Sequence, residues 1–299
     1  MKSLVLIAGP TASGKTPLAV CLAESFNTVI ISADSRQMYR EMKIGTAVPS
    51  AEMLAAIQHY FIGNLSIYDY YNASKYETEV NVLLNTLYKE RDLVLMVGGS
   101  GLYIDAVCRG IDDFPTTDPA VREQLINQYN EEGIEGLRRS LRRLDPEYYE
   151  KTDLRNYKRI LKALEVSIMT GKPYSSFLRG KPKPRPYKII QIGLELPREE
   201  LYKRIDLRVD RMLANALEDE ARSLLPHRNT NALNTVGYKE LFNYFEGKIS
   251  REEAIRLIKR NTRHYAKRQI SWFSRDKEIQ WFHPDDKSEI ENFIRKKTE

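Results

Sequence analysis

Leu4-Val5-Leu6-Ile7-Ala8-Gly9-Pro10-Thr11-Ala12-Ser13-Gly14-Lys15-Thr16 is the stretch that decides the fold. Its first five residues form an unbroken apolar run, which reads as a strand buried on both faces of a parallel sheet. Gly9, Pro10, Thr11, Ala12, Ser13, Gly14, Lys15 and Thr16 then match the P-loop pattern in full, between a strand and a helix. The chemistry of that pattern is specific. A glycine-rich backbone turns successive N–H groups toward one point, the helix N-terminus adds positive potential, and Lys15 supplies a mobile cation. The Thr16 hydroxyl is placed to meet a magnesium ion carried by the phosphates. Pro17 falls in the first helical turn, where its missing N–H costs nothing.

Working outward, Val29-Ile30-Ile31 ends in the polar cluster Asp34-Ser35-Arg36-Gln37, and a helical stretch near 72–88 precedes a third strand, Leu93-Val94-Leu95-Met96-Val97. Apolar strands separated by helices predict an α/β fold, a P-loop NTPase-like parallel sheet flanked by helices. Ligands of such sheets bind at the carboxyl ends of the strands, so the loops after Ala8, Ile31 and Val97 are the places to look. A P-loop does not say whose phosphates it holds. NTPases carry a second acid at a strand end to hold magnesium and order water. The third strand runs instead into Gly98-Gly99-Ser100-Gly101, and the only acid on offer is Asp34. Nucleotide hydrolysis is therefore poorly supported.

From about residue 115 the texture becomes helical and highly charged, with a helix start at Asp118-Pro119 and helices around 121–129, 136–144 and 157–169. Arg179–Pro186 reads as a stiff basic linker. Ile189–Leu194 then reads as another buried strand. The expected organisation is a P-loop core over 1–114 and 186–299, with a helical insertion over 115–185. One long amphipathic helix is expected over 198–225, with Leu201, Ile205, Val209, Met212, Ala216 and Leu224 as its apolar stripe. Another begins at Ser250, which has capping-box spacing to Glu253.

The net charge of +6 attracts phosphates without saying which. Positive charge concentrates after residue 137, which points to a polyanion handled mainly by the later chain. No apolar run approaches the roughly 20 residues that cross a bilayer, and Cys21 and Cys108 lack metal or disulfide spacing. The expectation is a cytoplasmic protein with reduced core thiols and no structural zinc, acting as a monomer away from membranes.

The P-loop, Asp34-Ser35-Arg36-Gln37, Ile44-Gly45-Thr46-Ala47 and Gly98-Gly99-Ser100-Gly101-Leu102-Tyr103, taken together, resemble the tRNA dimethylallyltransferases, the isopentenyl-adenosine-forming enzymes. Ala163–Val166, Val236-Gly237-Tyr238-Lys239-Glu240 and Ala266-Lys267-Arg268-Gln269-Ile270-Ser271-Trp272-Phe273 continue the resemblance in order to about residue 273. Two positions depart from the family pattern: Ser100 stands where threonine is usual, and Val48 where lysine is common.

The resemblance implies transfer of a dimethylallyl group from dimethylallyl diphosphate to N6 of the adenosine at tRNA position 37, just 3′ of the anticodon, with magnesium as cofactor. Lys15, Thr16 and an arginine of the 204–208 stretch, with Arg208 preferred, would neutralise the departing diphosphate. Asp34 would take the proton lost by the amine; a helix cap or a ligand of a magnesium-bound water is the alternative reading of that carboxylate. Asp34, Ser35, Arg36 and Gln37 resemble the stretch that recognises the flipped adenine, and Thr11 and Ser100 are either hydrogen-bonding groups near the reaction or structural. Arg122 and the segment Lys158-Arg159-Ile160-Leu161-Lys162 resemble family positions beside the substrate and the tRNA anticodon arm. Tyr238 stacks on a base or is buried. On the helix after Ser250, Arg256, Arg260, Arg263 and Lys267 share one face. Such a face is usually only solvated surface, and the resemblance is what makes it an RNA contact. Three rivals remain at this level. They are a small-molecule kinase, an enzyme that prenylates free adenine nucleotide, and a non-catalytic RNA-binding protein.

Overall fold

The computed structural model describes residues 1–112, 114, 118–178 and 182–299. It divides into two compact units, Met1–Arg109 with Pro184–Glu299, and Gly110–Lys183.

The first unit begins with β1 (Ser3–Ala8), α1 (Lys15–Ser25), β2 (Ile30–Ser32), α2 (Ala51–Ala56), β3 (His59–Tyr60), α3 (Ala73–Leu87), β4 (Leu93–Gly98) and α4 (Gly101–Arg109). The second unit holds α5 (Pro119–Leu144), α6 (Pro146–Lys151) and α7 (Tyr157–Thr170). The chain then adds β5 (Lys188–Leu194), α8 (Arg198–Ala214), α9 (Leu217–Leu224), α10 (Tyr238–Phe245), α11 (Arg251–Phe273), β6 (Gln280–Phe282) and α12 (Lys287–Thr298) to the first unit.

The strands form one six-stranded sheet in the order β3-β2-β4-β1-β5-β6, parallel throughout. Alternation along β1 sends Leu4, Leu6 and Ala8 to one face, under α3, α4 and Phe273 at the end of α11. Val5 and Ile7 go to the other face, under α1 and α12. All five are fully buried, which is why the run carries no polar residue. In register, Ala8 lies opposite Gly98 of β4 and Gly193 of β5. The loops after β1 and β4 therefore leave the sheet side by side, and the loop after β2 joins them across the β2–β4 pairing of Ser32 with Val97.

Two helix readings need correction. The helix expected over 198–225 is broken at Asn215–Ala216, where Ala216 takes a left-handed φ of 66°. The break re-aims the chain so that Leu217, Ala221 and Leu224 bury against Tyr238, Leu241 and Ile258. Ala216, assigned to the apolar stripe, is exposed at the turn. The 121–129 and 136–144 helices belong to one run from Pro119, interrupted at Gly133 (φ 67°, ψ −164°). Asp118 caps it as expected, accepting from the Ala120 amide at 2.8 Å.

Of the basic linker, Arg179–Lys181 lie outside the described residues. Arg185 is no free cation. It donates to Glu77 Oε1 at 2.7 Å and to the Ala106 carbonyl at 2.8 Å, with its side chain 10% exposed. Cys21 and Cys108 are free thiols, and burial pushes the Cys108 thiol up to about 12. Among the described residues no helix is long and apolar enough to cross a membrane.

Candidate active site

The loop between β1 and α1 takes left-handed backbone at two positions two residues apart, the kind of turn that can aim amides at a common anion. Ala12 sits at φ 65° and Gly14 at φ 90°. Helix α1 opens at Gly14 with no side-chain cap, which leaves its first amides to a ligand. Ser13 is fully buried, and its hydroxyl has no partner among the described residues. Lys15 folds back over the loop and donates to the carbonyls of Gly9 (2.9 Å) and Pro10 (2.6 Å). Burial, then the Arg208 charge, lower its ammonium to about 7, against the opposing pull of Asp34. A cation held this weakly protonated, beside a buried hydroxyl without a partner, is a site short of negative charge.

Asp34 follows β2 by two residues. Its Oδ1 accepts from the amides of Arg36 (2.9 Å) and Gln37 (3.3 Å), so this oxygen closes a turn, and no helix starts here for it to cap. Oδ2 makes no hydrogen bond among the described residues. Asp34 also acts electrostatically on Lys15, Arg208 and Tyr265. Burial lowers Arg208, and Asp34 offsets part of that shift. Its Nη2 donates to the Thr46 carbonyl at 3.3 Å. Arg204, one turn earlier on α8, also reaches the phosphate loop. A Cβ on Gly14 would lie 3.6 Å from its Nη1, and Glu200 holds it at 2.8 Å. The arginines of the 204–208 stretch thus approach the loop as a pair.

Asp34, Thr11, Arg36, Thr46, Arg208 and Tyr265 line the polar part of a cavity of about 90 Å³, and Val209, Met212, Leu217, Val236 and Ile258 line its apolar part. Ser100 holds the Asp34 turn, accepting from the Ser35 amide at 2.9 Å. Gln37 spends its amide hydrogens on the carbonyls of Thr46 (3.3 Å) and Ala47 (3.1 Å), and Arg36 donates to Asn231 O at 3.1 Å. Both side chains therefore brace loops as they stand.

Three groups, Glu220, Tyr265 and Gln269, were not expected at the site, Tyr265 being expected as a core contact. Glu220 accepts from the amides of Ile44 and Gly45, each at 2.8 Å, and from the Tyr238 hydroxyl at 2.7 Å. It fixes the Gly45–Ala47 turn, and only the break before α9 brings it there. Tyr238 is fully buried in this clamp, so it has no free face for a base. Tyr265 lines the cavity, and burial followed by the Asp34 charge raises its phenol. Gln269 joins two loops of the site. Its place one helical turn after Tyr265, inside a motif already singled out, was the available signal.

On α11, Arg256, Arg260 and Lys267 are exposed. Arg256 is paired with Glu253 at 2.6 Å. Arg263 differs from the other three in being only partly exposed. Asp206 holds it at 3.2 Å and its guanidinium lies 5.6 Å from the Tyr202 ring centre. In the second unit Lys158 and Arg159 are exposed. Ile160 and Leu161 are 0% and 4% exposed within that unit's core, so any RNA contact of this segment falls to its basic residues. Lys162 lies 5.6 Å from the Phe114 ring centre. Arg122 donates to the buried Glu165 at 2.6 Å.

A family model described as IPP transferase matches residues 37–276. The tRNA dimethylallyltransferase 2 of Azobacteroides pseudotrichonymphae is 51% identical over 291 residues, covering 97% of this chain and 95% of that protein. The tRNA dimethylallyltransferase 1 of Porphyromonas gingivalis is 53% identical over 283 residues, 95% of this chain and 94% of that one. Among solved structures, the full-length tRNA isopentenylpyrophosphate transferase of Bacillus halodurans superposes with a TM-score of 0.74 at 35% identity, covering 100% of this chain and 97% of that one. With a match of this extent, the chain belongs to the IPP transferase family, the tRNA dimethylallyltransferases.

Proposed function

We propose that the chain transfers the dimethylallyl group of dimethylallyl diphosphate to N6 of adenosine 37 in the anticodon arm of tRNA, giving N6-dimethylallyladenosine and diphosphate. The observation that carries this reading is the grouping of Lys15, Asp34 and Arg208 beside one cavity at the carboxyl ends of the central strands. The N6 lone pair attacks the first carbon of the prenyl chain. The carbon–oxygen bond breaks, and its electron pair departs with the diphosphate. Lys15, Arg208 and the loop amides stabilise that growing negative charge. The alkylated nitrogen is cationic and gives its proton to Asp34 Oδ2, while the amides on Oδ1 hold the carboxylate in place.

Magnesium fits as an ion brought by the diphosphate. Among the described residues no cluster of three or more His, Cys, Asp or Glu is placed to hold a metal, and a magnesium ion commonly keeps phosphate oxygens and waters with one or two protein ligands. The Thr16 hydroxyl, in the first turn of α1, would be such a ligand, and the ion would supply charge neutralisation of the leaving group. The target base must leave its stack at a cost of a few kcal/mol, offset by backbone contacts. Arg256, Arg260 and Lys267 of α11, with Arg122, Lys158, Arg159 and Lys162 of the second unit, are the candidates to make them. The enzyme would act as a cytoplasmic monomer.

The test is incubation with labelled dimethylallyl diphosphate, magnesium and unmodified tRNA, with AMP in a parallel reaction. Label on the adenosine 3′ of the anticodon is the expected result. Label on AMP alone would overturn the choice of acceptor, and label on neither would overturn the reaction.

A further inference from the structure

Gln269 is a polar residue in a place where apolar residues normally go. It lies on the buried side of α11 and is 5% exposed, yet both ends of its amide are engaged. Oε1 accepts from the Thr11 backbone amide at 2.8 Å, and Nε2 donates to the Gly99 carbonyl at 2.9 Å. One side chain thus spans two loops that are remote in sequence and leave neighbouring strands. The chemistry narrows the choice of residue. One loop offers an N–H and the other a C=O, and the side-chain amide of glutamine meets them with an acceptor and a donor on separate atoms at the end of one flexible chain. Glutamate would lack the donor, and methionine would leave two buried backbone groups without partners. Gly99 belongs to the same fitting, since a Cβ there would collide with the Gln269 amide nitrogen.

What the two loops carry gives the bridge its meaning. The Thr11 loop begins the phosphate cradle, and Thr11 lines the cavity with Asp34. Gly99 immediately precedes Ser100, whose hydroxyl holds the Asp34 turn through the Ser35 amide. Tyr265, one turn before Gln269 on the same helix, also lines the cavity. We infer that Gln269 is a positioning residue that sets the distance between the phosphate loop and the Asp34 turn, and so aligns the leaving group with the base. The inference rests on the reading of Asp34 as the proton acceptor. It also makes α11, whose outer face carries Arg256, Arg260 and Lys267, the element that spaces the two halves of the reaction.

Gln269→Glu keeps an oxygen for Thr11 and loses the donor to Gly99, whereas Gln269→Met loses both. Turnover with tRNA and dimethylallyl diphosphate should fall about tenfold in the first and about a hundredfold in the second, the scale expected when reacting groups shift by an ångström or less. Affinities for tRNA, and for inorganic diphosphate with magnesium, should stay within about twofold of wild type, because neither ligand is held by Gln269. Thermal unfolding of each variant separates alignment from folding. Unchanged turnover in Gln269→Met, or turnover that falls only in step with the folded fraction or with both affinities, overturns the inference. A wild-type protein that fails to prenylate tRNA at all would overturn the underlying reading instead.

Discussion

Diphosphate binding should draw about one proton from solvent at pH 8, and Lys15 is the reason. Burial, then Arg208, lower its ammonium to about 7 in the unliganded protein, so at pH 8 only about one-tenth of the molecules carry that charge. A diphosphate in the loop adds opposite charge within contact distance and lifts the lysine back by several units. The uptake attributable to Lys15 is then about 0.9 proton at pH 8 and about 0.1 at pH 6, where the group is already charged. Titration calorimetry with inorganic diphosphate and magnesium, in buffers of different ionisation heat, gives the proton count. The ligand titrates too, so the readout is wild type minus Lys15→Arg, in which the guanidinium stays charged throughout. A difference below about 0.3 proton at pH 8, or one equal at pH 6 and pH 8, would mean that burial does not hold Lys15 neutral in the unliganded protein. The same shift has a sign for stability. With the folded value depressed from 10.5 to about 7, the unfolded chain binds more protons between those limits. The unliganded protein should therefore gain stability as pH rises through that window.

Two further outcomes follow from the proposed roles. Asp34→Ala should lower turnover at least about a hundredfold while tRNA affinity is nearly kept, measured by single-turnover kinetics and filter binding; near-normal turnover would remove Asp34 from the mechanism. Neutralising Arg256, Arg260 and Lys267 together should weaken tRNA binding and flatten its salt dependence, whereas Arg263→Gln should change the slope less because its side chain is drawn in against Asp206 and Tyr202. An unchanged slope in the triple variant would place the RNA elsewhere.

The sheet was legible because burial on both faces leaves a mark no other element shares. Leu4–Ala8 and Leu93–Val97 carry no polar residue, and the structure sets them side by side at the centre. The edge strands β3 and β6 left no such mark. They are short, half-buried and of mixed composition, so periodicity had nothing to catch. The break in the 198–225 helix was illegible for a related reason. Neither Gly nor Pro stands at Asn215–Ala216, and an alanine holds the left-handed position. The strain of that conformation is offset by packing Leu217 and by placing Glu220 under the Gly45 turn, and both are tertiary facts. Asp34 and Lys15 could be named from strand ends and motif. The motif around Gln269 could be singled out but not its role, and Glu220 left no mark at all, because the partners of both are backbone amides and carbonyls far away in sequence.

The segment after β4, Gly98-Gly99-Ser100-Gly101, carries no acid, and its surroundings leave no place for one. A Cβ on Gly98 would run into the carbonyl of Ala33, and a Cβ on Gly99 into Gln269. The end of β4 is thus pressed against the β2 loop on one side and α11 on the other, with no room for a carboxylate that could order water against the phosphates. The acid of this site stands instead on the β2 loop, where Asp34 faces a partly apolar cavity. In a hydrolase the carboxylate must hold a water molecule in line with phosphorus. In the proposed reaction the leaving phosphate would be gripped in the same way, but the electrophile would be a carbon beyond it, and the base would be needed where an amine arrives. On this proposal, a carboxylate on the loop after β2, with glycines and a glutamine filling the end of β4, is what would suit the site to using a phosphate chain as a leaving group rather than cleaving it.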